Sequence, residues 1–86
     1  MACSNDVNDI MIVCGGVDAN PVYLNTIYSA TISTQSFYTD CGDLSVARKF
    51  GAGTSNGVGD RGIFGGGATG SSTEVNVIDY VTISSP

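Results

Sequence analysis

The chain has no histidine and no tryptophan, and its only basic residues are Arg48, Lys49 and Arg61. The missing histidine removes the commonest general base and every Ser–His or Cys–His nucleophile pair. Three cations against eight acidic residues, a net charge of −5, cannot form a phosphate-binding stripe. Neither nucleic acid nor an anionic membrane surface is therefore expected as a partner. No apolar run approaches the ~18 residues of a membrane-spanning helix. The opening residues MACSNDVNDI lack both a basic segment and an apolar stretch, so no signal peptide is expected there. The three cysteines, Cys3, Cys14 and Cys41, are an odd number at irregular spacing, with no C-x-x-C pair. Free thiols are the expectation, not a disulfide framework or a zinc site. No stretch carries the periodicity of an amphipathic helix either.

What is present is glycine, at 12 residues, together with Ser, Thr, Val and Ile in short runs. The chain also repeats itself at a spacing of 51 residues. Residues 1–35 laid over residues 52–86 without a gap agree at 12 of 35 positions, among them Asp9/Asp60, Ile12/Ile63, Ile27/Ile78, Ile32/Ile83 and Ser33/Ser84. A chance register gives only a few identities. Periods of this size mark solenoids, propellers or arrays. The sequence therefore divides into a first repeat, 1–51, and a second, truncated one, 52–86.

Within a period the pattern predicts four short strands. IMIVCGG (10–16) and its mate RGIFGGG (61–67) are apolar runs stopped by a glycine pair. LNTIYSATIS (24–33) and VNVIDYVTIS (75–84) follow as strands apolar on both faces. A weaker, more polar strand is expected around Ser36–Asp40, and a fourth over VARKFGAGTSNG (46–57), whose mate is MACSND at the start. The loops VDANPVY (17–23) and ATGSSTE (68–74) have equal length. Four antiparallel strands per repeat is the make-up of a propeller blade.

The double-glycine strands IMIVCGG and RGIFGGG, the variable loop after each, and Asn25 and Asn76 ahead of the next strand resemble the kelch repeat, whose period is also about 50 residues. Arg48 stands where a kelch repeat often places an arginine. The phrases GDLSVAR, GIFGGG and VIDYVTIS are similar to kelch-like repeats in predicted marine phage structural proteins. The resemblance spans the whole chain. Two kelch aromatics are missing: Phe37 or Tyr38 takes the place of the usual tryptophan, and Ile12 and Ile63 lie near that of the usual tyrosine. The resemblance implies an all-β chain of about one and two-thirds four-stranded antiparallel kelch-like β-propeller blades, and a place in a virion. Copper–tyrosine oxidase chemistry, known on one kelch propeller, needs histidine ligands that this chain lacks.

In residue terms, Gly15, Gly16, Gly66 and Gly67 allow positive φ and close backbone approach. Asn25 and Asn76 can bond local backbone, and Arg48 can reach Asp43 or a neighbouring carbonyl. Candidate chemistry is thin. GGGATG (65–70) fits G-x-G-x-x-G but opens no helix, and GAGTSNG (51–57) lacks the P-loop lysine. Asp40 and Asp43 are a weak acid–base pair set in one turn. Asp6, Asn8 and Asp9, with Asp18 and Asn20, lack the spacing of a calcium loop. No cofactor or metal is expected.

A blade cannot cover both faces alone, and about three stacked repeats are the usual minimum. Either the chain is part of a longer propeller or several copies assemble; the favoured expectation is a homo-oligomer or strand exchange between copies, for instance three or four chains closing a ring of six or eight blades. The functional expectation is a non-enzymatic structural or protein-binding module, with a carbohydrate-binding propeller as the alternative. Ligand contact is expected on the loops, through Asp18, Asn20, Tyr23, Thr69 and Ser71, with a protein or glycan as partner.

Overall fold

Short runs of β-branched and small residues, each cut off by a glycine or an Asp/Asn turn, fold into seven strands in the computed structural model, which describes residues 1–35, 39–70 and 73–86. These are β1 (Ala2–Ser4), β2 (Ile10–Cys14), β3 (Thr26–Thr31), β4 (Thr39–Asp43), β5 (Ala52–Ser55), β6 (Arg61–Gly65) and β7 (Ile78–Thr82). The only helical piece among the described residues is a 3-10 turn at Gly57–Gly59. The strands form two antiparallel sheets, ordered β1-β2-β3-β4 and β5-β6-β7, and neither closes on itself. No described helix is long and apolar enough to cross a membrane.

The strands lie close to where the pattern places them, with two shifts. The weak third strand, expected around Ser36–Asp40, is described as β4 at Thr39–Asp43, overlapping the end of the expected run and continuing three residues past it. Ser36, Phe37 and Tyr38, the aromatic stand-ins included, lie outside the described residues. The expected fourth strand shrinks to β5, which opens the second sheet by pairing with β6 instead of finishing the first. Its predicted front half is drawn off into crossing backbone bonds. Arg48 N donates to Leu24 O (3.1 Å), Gly16 N to Arg48 O (2.8 Å), and Lys49 and Ala68 exchange two bonds (3.0 and 2.8 Å).

The 51-residue spacing reappears in the hydrogen bonds. Ile32 N donates to Asp9 O and Ile83 N to Asp60 O, both at 2.9 Å. Ser33 and Ser84 each clamp the matching aspartate through backbone N–H and hydroxyl. Leu24 N to Gly16 O (2.9 Å) is mirrored by Val75 N to Gly67 O (3.0 Å). The glycine pairs have φ of 68° and 109° at Gly15 and Gly16, and 71° and 100° at Gly66 and Gly67. A Cβ on Gly67 would also stand 2.5 Å from the Lys49 carbonyl oxygen, so glycine is required there twice over.

The core lies between the sheets. Ile12, Cys14, Ile27 and Leu44 pack against Phe64 and Ile83. Strand alternation decides which faces meet. The second sheet turns Gly62, Phe64, Asp79 and Val81 inward and Arg61, Ile63, Ile78 and Tyr80 outward. The outward Ile63 and Ile78 are 37% and 71% exposed, yet their mates Ile12 and Ile27 are buried. In the other direction Ile32 is 47% exposed although its mate Ile83 is fully buried. The sheets thus stack face to back, as successive steps of one repeat, and not as mirror partners. The molecule measures 37 × 24 × 16 Å, its least dimension matching two sheets stacked about 10 Å apart.

Candidate functional site

The two double-glycine turns, the loops after them and the crossing segment 44–51 gather at one end of the sheets. The loops at 17–23 and 68–74 are closed in the same way, by Asp18 N to Val22 O (3.0 Å) and Thr69 N to Thr73 O (2.9 Å). The crossing segment runs between them and is held from inside by Arg48. That guanidinium is fully buried. Nη1 donates to Asp79 Oδ2 (2.8 Å) and to Val46 O (3.2 Å), and Nη2 to Phe64 O (3.0 Å). Nε has no partner among the described residues.

Arg48 therefore does not pair with Asp43, which is exposed on β4. It reaches the other sheet instead, because the backbone bonds of residues 48 and 49 aim the side chain across the core. Asp79 also accepts from Ser45 N (3.2 Å). Partial burial pushes its carboxyl up, but the Arg48 and Ser45 donors more than offset this and hold it below the usual value.

Beyond Arg48 the chain surfaces. Lys49 places its ammonium 5.0 Å from the ring centroid of Tyr23 and 4.6 Å from that of Phe50, a cation between two aromatic faces. Phe50 is 83% exposed and has a φ of 63°. A bulky L-residue is an outlier in that region, and such strain persists only where neighbouring bonds enforce it. A hollow of about 460 Å³ opens beside the pair, with Gly67, Ala68, Gly70, Glu74 and Val75 as its other walls.

Of the residues expected to meet a ligand, Tyr23 is part of this cluster. The Asp18 carboxylate is occupied by the backbone N–H groups of Asn20 (2.9 Å) and Val22 (2.7 Å), which lower its pKa. Asn20 is exposed on the same turn, Thr69 closes the opposite loop, and Ser71 lies outside the described residues. Among the described residues Asn25 and Asn76 make no side-chain hydrogen bond. Their loops are tied by backbone, as in Leu44 N to Asn25 O (2.6 Å). Sequence reasoning missed Lys49, Phe50 and Glu74. The signal present in the chain was an adjacent cation and ring inside the expected fourth strand, just ahead of Gly51.

The other candidate chemistry disperses. Asp40 and Asp43 are exposed on one strand, and Asp40 accepts the Gly42 N–H (2.9 Å). At the opposite end Asn5 is buried and bonds Asn8 Oδ1 (2.6 Å) and Asp60 Oδ1 (3.2 Å). No group of three or more metal-ligating side chains forms among the described residues. Cys3, Cys14 and Cys41 are free. Comparison of the chain with protein-family models, with curated proteins and with solved structures finds no match.

Proposed function

We propose that the chain is a non-enzymatic structural and protein-binding module of about one and two-thirds kelch-like propeller blades, suited to a virion or surface appendage, with the double-glycine end as its partner-binding surface. The observation that carries this reading is Phe50: an exposed ring held at positive φ and flanked by Lys49 and Tyr23. An aromatic anchor with a cation beside it is a frequent centre of protein interfaces. The repeated meander of short antiparallel strands and the face-to-back stacking support the blade reading.

A second reading is carbohydrate binding. The same hollow sets Phe50 and Lys49 near Glu74, so a sugar ring could stack on Phe50 while its hydroxyls meet the two charged groups.

The test is a protein array and a glycan array probed in parallel with the wild-type chain and a Phe50→Ala variant. A protein ligand that binds at least about thirtyfold more weakly to the variant, the ~2 kcal/mol of a hot spot, supports the first reading. Ligands confined to the glycan array support the second. Binding indifferent to Phe50, or none on either array, removes the loop-end surface.

A further inference from the structure

The interface between the two sheets is built from two unlike halves. One half is the first-sheet face of Ile12, Cys14 and Ile27, and the other is the second-sheet face of Phe64 and Ile83. The 51-residue repeat gives each sheet both halves, and one copy of each half stands outside the core in this structure. On the second sheet the unused half is Ile63 and Ile78, with Tyr80 where the first repeat has Ser29. On the first sheet it is Val13 and Ile32, mates of Phe64 and Ile83. On one half valine stands for phenylalanine; on the other tyrosine stands for serine and Gly65 for Cys14.

We infer that the Ile63–Ile78–Tyr80 face of one chain docks onto the Val13–Ile32 face of a second copy, head to tail, continuing the interface between the chain's own sheets. The occupant is a second copy because this chain already holds the complement of each exposed face and packs that pair in its own core. A contact of this kind is heterologous. Each copy that joins presents the same free half again, so the assembly grows until the rotation per copy closes a ring, or extends as a filament. A like-on-like dimer would leave one of the two exposed faces uncovered. The inference rests on the blade reading but not on the loop-end site.

The experiment measures mass in solution by sedimentation over a range of concentrations, for the wild type and two variants. Ile78→Asp blocks one half and Ile32→Asp the other. Both positions are exposed in the single chain, so its own core is untouched. The wild type is expected to self-associate. Each variant alone is expected to weaken association by at least about a hundredfold, the effect of burying an unpaired carboxylate. An equimolar mixture of the two is expected to form a 1:1 heterodimer, since each partner keeps the half the other has lost.

A wild type that stays monomeric at all concentrations overturns the inference. So does a variant that associates like the wild type, which marks a like-on-like contact, or a mixture of folded variants that stays monomeric. Should either aspartate variant lose its sheet signal in circular dichroism, Thr82→Lys and Ala2→Lys, at exposed positions on the same two faces, replace them. Loop-end binding is measured separately on monomeric Ile78→Asp, so failure there and failure of assembly remain distinguishable.

Discussion

Arg48 has no exposed surface, and its charge is met by Asp79 across the sheet interface at 2.8 Å. Removing one partner leaves a buried charge, which costs about 3 kcal/mol or more, whereas an intact pair adds little by itself. Asp79→Asn should therefore lower the urea midpoint by the equivalent of about 3 kcal/mol at pH 7. The pH dependence has a definite sign. Asp79 titrates below its ordinary 3.8 when folded. The unfolded chain thus takes up the proton first on acidification. The stabilisation is full above the ordinary value and is lost as pH falls through the folded one. The gap between the wild-type and Asp79→Asn midpoints should narrow as pH falls from 7 toward 2, and parallel curves would refute the pairing. Phe50 presents the opposite case, since its conformation costs stability without burying the ring. The left-handed region costs an L-residue about 1–2 kcal/mol, and glycine's extra unfolded-state entropy returns about 0.5–1 of that. Phe50→Gly should raise stability by about 0.5–1 kcal/mol while abolishing binding at the loop end; a destabilised variant would show that the ring is structural.

At the scale of elements, each sheet is tied at its far end by one aspartate. Asp9 and Asp60, with φ of 55° and 64°, turn the chain into β2 and β6 and hold the end of the next strand through Ser33 and Ser84. Asp60 also accepts from Asn5, joining the two repeats. Substitution by glycine removes the carboxylate without adding backbone strain at positive φ. Asp60→Gly should cost about 2 kcal/mol and Asp9→Gly about 1 kcal/mol, in line with hydrogen bonds to a charged group. The Ser84 amide should exchange faster in Asp60→Gly than the amides of β7; equal rates would mean that the clamp adds nothing local. These aspartates were visible in the sequence as identities of the repeat, but not as clamps, because their partners lie 24 residues away. The strands were legible for a local reason: β-branched runs end at glycine pairs whatever surrounds them. The front half of the expected fourth strand was not, since Arg48, Lys49 and their neighbours look β-forming until the crossing bonds to Leu24, Gly16 and Ala68 are known. The loop-end site was half legible. Tyr23 lies in a recognisable loop, whereas Lys49 and Phe50 depend on a left-handed residue that no periodicity announces.

For the whole molecule, the shared core fixes how the fold comes apart. Neither sheet has a core of its own, since Ile12, Cys14, Ile27 and Leu44 come from the first repeat and Phe64 and Ile83 from the second. Losing either side exposes the other, so both sheets should unfold in one transition despite the repetition that built them. Phe64 is the most telling position because it is fully buried and its carbonyl also receives Arg48. Phe64→Ala should cost about 3–5 kcal/mol. The loss should appear equally in the amide exchange of β2 and β6, although the substitution lies only in β6. Cys14 offers a chemical reading of the same event. Burial pushes its thiol up to about 11, so the folded chain keeps it protonated and unreactive. Maleimide labelling of Cys14, followed by peptide mass spectrometry, should accelerate more than about a hundredfold in Phe64→Ala, as a global opening at ~1.4 kcal/mol per tenfold requires. Faster exchange in β6, with β2 and Cys14 unchanged, would mean that the two repeats are separate folding units and that their face-to-back contact is too weak to unite them.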